Sequence, residues 1–262
     1  MRVALICHDS EPLTREGLAR WLASFADLVG VVELREKGGR RGKRVRAELR
    51  RSGWVRFLDV MLFRLYYRLF LARTDRAWEQ RLLNRLCERY PALPDTVPVK
   101  VAPSPNSEAV RAFLEAVRPD ILIARCKVIL KEEIFSIPPD GTFVMHPGIC
   151  PEYRNAHGCF WAVATGDMER VGMTLLKIDR GIDTGPVYGY YKVDFDPKRE
   201  SHVVLQHRVV FENLDALQAR LQDIHAGRAE PLDTAGRSST VWGQPWLTRY
   251  LRYRRREAVS RG

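Results

Sequence analysis

Val3-Ala-Leu-Ile-Cys7, then Thr14 to Phe25, then Leu28-Val-Gly-Val-Val-Glu-Leu34 form the stretch that decides the fold. The first five residues are apolar without alternation, as in a strand buried on both faces. Thr14 to Phe25 places Leu18, Trp21, Leu22 and Phe25 at helical spacing, and Leu28 to Leu34 returns to a strand. A β-α-β opening of this kind predicts an α/β domain with an open, mainly parallel sheet and helices on both faces.

Outward from that stretch the alternation continues. Val97 to Val101 reads as a strand and Ser107 to Val117 as a helix with Val110, Phe113, Leu114 and Val117 on one side. Asp120 to Ala124, Gly141 to Met145 and Gly172 to Ile178 read as further strands. Steps of three and four from Val203 to Ile224 predict one long amphipathic helix closing the domain. The expected organisation is a domain over 1–225 and a basic extension over 226–262. An insertion at about 37–73 interrupts the domain. It opens with Gly38-Gly39-Arg-Arg-Gly42, read as a solvated loop because no strand leads into it and no helix start follows closely. Residues 54–72, WVRFLDVMLFRLYYRLFLA, then predict a helix with one very wide apolar face. Two readings of this helix stand: packing on the domain, or in-plane adsorption to an anionic lipid surface.

At 262 residues, 45% hydrophobic and 29% charged, the chain can bury a sizeable core, which excludes disordered and fibrous classes. Five cysteines without a CxxC pair indicate neither a disulfide framework nor a zinc knuckle, and no metal is expected. The apolar run after Met1 is too short for a signal peptide, so a cytoplasmic location is expected, with peripheral contact at the inner membrane surface as its variant. The net charge of +11 suggests an anionic partner. It concentrates between Arg35 and Arg51 and again between Arg249 and Arg261. No RNA or DNA module accompanies it, so nucleic acid is not the expected partner.

In an open parallel sheet the reactive crevice lies beyond the carboxyl ends of the strands. His146 stands there, because the strand must end at His-Pro147-Gly148. Asp183 follows the strand Gly172 to Ile178, inside Asp179-Arg-Gly-Ile-Asp-Thr-Gly185. A carboxylate beside an imidazole holds its tautomer and stabilises the imidazolium, which suits proton transfer near neutral pH.

His146-Pro-Gly-Ile-Cys-Pro-Glu-Tyr-Arg154 and Asp179-Arg-Gly-Ile-Asp-Thr-Gly185, together with Asp120-Ile-Leu-Ile, Ala124-Arg-Cys-Lys-Val-Ile-Leu130 and Ile137-Pro-Pro-Asp-Gly141, resemble in order and spacing the formyltransferase domain that uses 10-formyltetrahydrofolate. The resemblance is strong from about 97 to 190, fair over 1–36, and absent for the basic segment, the apolar helix and the tail. It implies a Rossmann-like fold, with His146 and Asp183 as catalytic residues and 10-formyltetrahydrofolate as formyl donor. It further implies that the pterin lies against the loop holding Arg125, Cys126, Lys127, Val128 and Ile129, and against Asp179, Gly181, Ile182, Thr184 and Gly185. The family's third catalytic residue, an Asn, is replaced by Val144, which removes a hydrogen-bond donor to the developing oxyanion; such a loss typically costs about 10²–10³ in rate. Asn155 and His157 are the candidate substitutes.

The expected reaction is formyl transfer to a primary amine of a small, anionic molecule, such as an amino-sugar on a nucleotide or lipid carrier. The alternatives are a methionyl-tRNA formyltransferase-like activity without a C-terminal barrel, and a folate-binding module that has lost catalysis.

Overall fold

The strands expected at the amino terminus form: β1 is Arg2–His8 and β2 is Asp27–Leu34. Between them a π-helical segment Leu13–Leu18 runs into α1, Ala19–Ala23. The computed structural model describes residues 1–35, 40–197 and 199–259, with side chains described throughout these ranges except 40–52 and 256–259. Helix α2 is Arg40–Tyr66, and a π-helical segment Tyr67–Leu71 joins it to α3, Ala72–Arg89. Then follow β3 Val99–Ala102, α4 Glu108–Val117, β4 Ile121–Arg125, α5 Glu132–Phe135 and β5 Gly141–His146. The short β6 Arg154–Asn155 leads to α6 Gly158–Thr165, β7 Met173–Lys177 and β8 Val187–Tyr191. The chain continues through α7 His202–Phe211, α8 Leu214–His225, β9 Val241–Trp242 and α9 Leu247–Val259.

The main sheet runs β3-β2-β1-β4-β5-β7-β8, parallel from β3 to β5 and antiparallel at β7 and β8. This is the open, Rossmann-like α/β architecture, and period-2 alternation along β1 explains its two layers. Val3, Leu5 and Cys7 face one core with Leu18, Trp21 and Leu22, with Leu82, Leu83 and Leu86 of α3, and with α6, α7 and α8. Ala4 and Ile6 face the other core with Val110 and Leu114 of α4 and Ile134 of α5.

Four expectations need correction. Arg40, Arg41 and Gly42, read as loop, are helical; Gly38 and Gly39 lie outside the described residues. The helix of 54–72 is the second part of a longer one, interrupted at Gly53, where φ is 74° and ψ 164°, a backbone state that glycine adopts without a Cβ penalty. The helix expected from Val203 to Ile224 is two, because the chain breaks between Phe211 and Leu214 and Asn213 donates through Nδ2 to Val209 O at 2.9 Å. The segment after 225 is no appendage: Tyr250 and Tyr253 of α9 are buried in the first core, and β9 pairs in parallel with β6.

Candidate active site

The carboxyl ends of β1, β4 and β5 lie side by side and bring His8, Arg125 and His146 to one edge of the sheet. His146 is buried, and its Nε2 lies 2.8 Å from the main-chain oxygen of Tyr153. A carbonyl only accepts, so Nε2 carries the ring hydrogen and donates it, which leaves Nδ1 with a lone pair. Nδ1 faces Asp183 Oδ2 at 3.5 Å. Tyr153 is held in turn: its hydroxyl donates to Asp167 at 2.9 Å, and its ring stacks on Trp242 with centroids 5.7 Å apart.

Asp183 sits in the left-handed region, φ 50°, and its Oδ2 accepts from the main-chain nitrogen of Asn155 at 2.7 Å. Asn155 and His157 also have positive φ, 76° and 56°. Three of the four such non-glycine residues among those described therefore meet here, as happens where function holds a backbone against its preference. The turn after His146 is tight enough to need glycine: a Cβ on Gly148 would lie 2.8 Å from His146 Nε2 and 2.9 Å from the Cα of Gly158.

Each of the candidate substitute donors has a partner away from His146. Asn155 Nδ2 donates to Trp242 O at 2.5 Å. His157 Nδ1 lies 3.3 Å from Gln206 Nε2 and its ring is 5.8 Å from that of His202; burial lowers its pKa to about 4. Sequence proximity suggested a shared wall but could not give the direction of either side chain. Val144, two residues before His146 and so on the same strand face, packs with Cys150, Leu176, Val187 and Tyr190.

Of the Arg125–Leu130 loop, the main-chain nitrogen of Lys127 donates to His8 Nε2 at 3.2 Å, and Lys127 Nζ pairs with Glu11 at 2.7 Å. Burial works to raise the Glu11 pKa, but the Lys127 charge prevails and holds it below the ordinary value. Asn106 Nδ2 donates to Ile129 O at 2.9 Å, while the Ile129 side chain is 63% exposed. Arg125 Nη1 donates to Met145 O at 2.5 Å, and burial lowers its guanidinium pKa. Cys126 Sγ donates to Val128 O at 3.4 Å; burial raises that thiol to about 11 and Cys159 to about 12, which leaves neither as a ready thiolate nucleophile. In the other loop Asp179 Oδ1 accepts from Gly181 N at 2.9 Å and from Thr184 Oγ1 at 2.8 Å. Arg180 ties that loop to Glu132 of α5 at 2.7 Å, Arg154 donates to Ile182 O at 3.1 Å, and Ile182 is exposed. A Cβ on Gly185 would strike Lys177 O.

Two contributors were missed. One is the Tyr153 carbonyl, which no residue type announces. The other is the C-terminal segment: Trp161 Nε1 donates to Gly243 O at 2.9 Å, Trp242 Nε1 donates to Glu152 O at 2.9 Å, and Arg237 pairs with Glu152 at 2.7 Å. The tryptophans were the available signal, since a buried indole normally finds a partner.

An open, mainly parallel sheet with an imidazole and a carboxylate set together at its carboxyl edge defines a protein of Rossmann-like architecture. The sequence model of the family described as formyl transferase matches residues 75–221, more than half of the chain, and the chain belongs to that family. Methionyl-tRNA formyltransferase of Thermus thermophilus is 33% identical over 135 residues, 46% of this chain and 44% of that one. The namesake enzyme of Koribacter versatilis is 38% identical over 94 residues, 36% of this chain and 29% of that one. The chain thus spans less than half the length of the curated relatives it matches. Among solved structures, a sugar N-formyltransferase from a Shewanella species aligns with TM-score 0.56 at 13% identity, covering 93% of this chain and 76% of that one. Phosphoribosylglycinamide formyltransferase from Anaplasma phagocytophilum aligns with TM-score 0.56 at 14% identity, covering 94% and 99%. At such identities these two likenesses speak for the fold alone.

Proposed function

We propose that the chain transfers a formyl group from 10-formyltetrahydrofolate to a primary amine of a small anionic molecule, an amino-sugar on a nucleotide or lipid carrier being the class we favour. The observation that carries this reading is the orientation of His146, with Nε2–H held by the Tyr153 carbonyl and Nδ1 turned to Asp183.

The donor supplies an activated formyl carbon. In this reading its pterin lies against the 125–130 and 179–185 loops, whose Ile129 and Ile182 side chains are exposed and suit the face of a flat ring. Arg125, Cys126, Lys127 and Val128 on one side, and Asp179, Gly181, Thr184 and Gly185 on the other, would hold it. As the amine attacks the formyl carbon, His146 Nδ1 would take the proton that the amine releases and return it to N10 as the bond from the formyl carbon to N10 breaks, so that tetrahydrofolate leaves and the amine keeps the formyl group. Asp183 stabilises the imidazolium that results, and the Asn155 main-chain N–H keeps Asp183 in place.

The test is incubation of small amines with protein and 10-formyltetrahydrofolate, read by mass spectrometry as the gain of one CO. His146→Ala and Asp183→Asn are each expected to lose about 10²–10⁴ in turnover, the range ascribed to general acid–base catalysis, while the fold is retained; His146→Ala should also lower stability by about 1–3 kcal/mol, because it leaves the buried Tyr153 carbonyl without its partner. A His146→Ala variant that keeps more than about a tenth of the rate contradicts the assignment. A second reading, a folate-binding module without catalysis, is favoured by the apolar setting of Val144. Tight binding of a folate analogue by titration calorimetry, with no CO transferred to any amine, would establish it.

A further inference from the structure

Helix α2 has two apolar faces, and only one of them is covered. Val60 and Phe63 are buried, Phe63 against Phe160, His202 and Tyr250, and Asp59 accepts from the Thr248 main-chain nitrogen at 3.0 Å. On the opposite side Trp54, Leu58, Met61, Leu62, Leu65 and Leu69 are between 40% and 69% exposed. At about 100° per residue these six fall within roughly 100° of arc and extend over about 20 Å. Monomeric soluble proteins rarely leave a contiguous apolar strip of this kind uncovered.

Charge identifies what covers it. Between Arg40 and Arg68 the sequence holds ten Lys or Arg against two acidic residues, Glu48 and Asp59, and Asp59 is turned toward α9. Arg64 and Arg68 are exposed along one margin of the strip, and α9, packed beside α2, adds exposed Arg252 and Arg255. A second copy of the chain seated on this face would set those cations against their own equivalents. A nucleic acid would match the charge but leave the leucines in water. An anionic lipid surface takes both: headgroups meet the arginines, the strip enters the acyl boundary, and Trp54 suits the interface between them. No helix among the described residues is long and apolar enough to cross a membrane, so this geometry is that of a helix lying in the plane.

We infer that the outer face of α2 and of the π-helical segment that continues it, between Trp54 and Leu69, is a docking surface for an anionic membrane leaflet. The full chain, mixed with phosphatidylcholine vesicles with or without phosphatidylglycerol, is expected to co-sediment with the anionic vesicles at low salt, at least about tenfold more tightly than with the neutral ones. The triple variant Leu58→Ser, Leu62→Ser, Leu65→Ser, all at exposed positions, is expected to bind anionic vesicles at least about tenfold less tightly. Should that variant fail to fold, Trp54 fluorescence in the wild type against Trp54→Phe reports the same contact. Brominated acyl chains are expected to quench the difference signal. Absence of wild-type binding to anionic vesicles, binding undiminished in the triple variant, or a Trp54 signal unaffected by bromine each overturns the inference. A stable dimer that the triple variant dissociates, without vesicle binding, overturns it in favour of a second copy.

Discussion

Acidification probes the buried histidine pair His157 and His202. His202 is ringed by Phe63 at 5.3 Å, Phe160 at 5.5 Å and His157 at 5.8 Å between ring centroids, and its Nδ1 is buried without a partner. Burial lowers the pKa of His157 from 6.5 to about 4 and that of His202 to about 3. The folded chain therefore keeps both rings neutral at a pH where the unfolded chain already protonates them. A folded pKa below the unfolded one means that no penalty applies above about pH 6.5, and that stability is lost as the pH falls from there toward the folded values. With up to two extra protons on the unfolded chain, the limiting slope is about 2.7 kcal/mol per pH unit, and His157 alone accounts for about 3 kcal/mol by about pH 4. That is a large share of the 5–15 kcal/mol typical of a folded domain. Urea midpoints followed by circular dichroism from about pH 7 down to about pH 5 measure it. The comparison is with His202→Phe, which fits the aromatic surround and removes both the titrating proton and the unpartnered nitrogen. Wild type should lose stability steeply, and the variant should show roughly half the histidine contribution to the slope. Identical pH slopes in the two proteins would refute the claim that His202 is held neutral by burial.

Two further predictions follow from the site. Val144→Asn restores a donor beside His146 and is expected to raise formyl transfer by up to about 10² while lowering stability by about 1 kcal/mol, because the amide enters an apolar group; steady-state rates and thermal unfolding check both, and a fall in rate would show that the apolar group is itself part of the pocket. Trp242→Ala removes the stacking on Tyr153 and on Trp161 and is expected to cost about 2–4 kcal/mol. The same change should lower turnover by loosening the segment that carries Asn155 and thus Asp183, and an unfolding curve and rate equal to wild type would contradict it.

What the residues disclose before folding divides along a physical line. β1, β2 and the helix between them are legible because a doubly buried strand and an amphipathic helix leave different periods in the chain. β8 is not, because Val187-Tyr-Gly-Tyr-Tyr191 lies at the sheet edge and lacks such a period. His146 and Asp183 are legible as polar residues directly after strands, and the structure sets them 3.5 Å apart. The Tyr153 carbonyl belongs to a group every residue carries, so its role depends wholly on where the turn places it. β9 is two residues long and exists only through its pairing with β6, a tertiary event with no local pattern. Asn155 and His157 show the reverse limit: the right chemistry at the right distance along the chain, with each side chain bonded to a neighbour away from His146.

The Asn155 amide is fixed by a carbonyl 87 residues further on, at Trp242. The main sheet closes a longer span still, Val3 of β1 pairing with Ile121 of β4, and none of its strand pairs depends on Trp242. A change confined to the segment around Trp242 would therefore leave the sheet's ladder in place and reach the site only through the Asn155 turn, so that a substitution far along the chain from His146 could disturb the site without breaking the sheet.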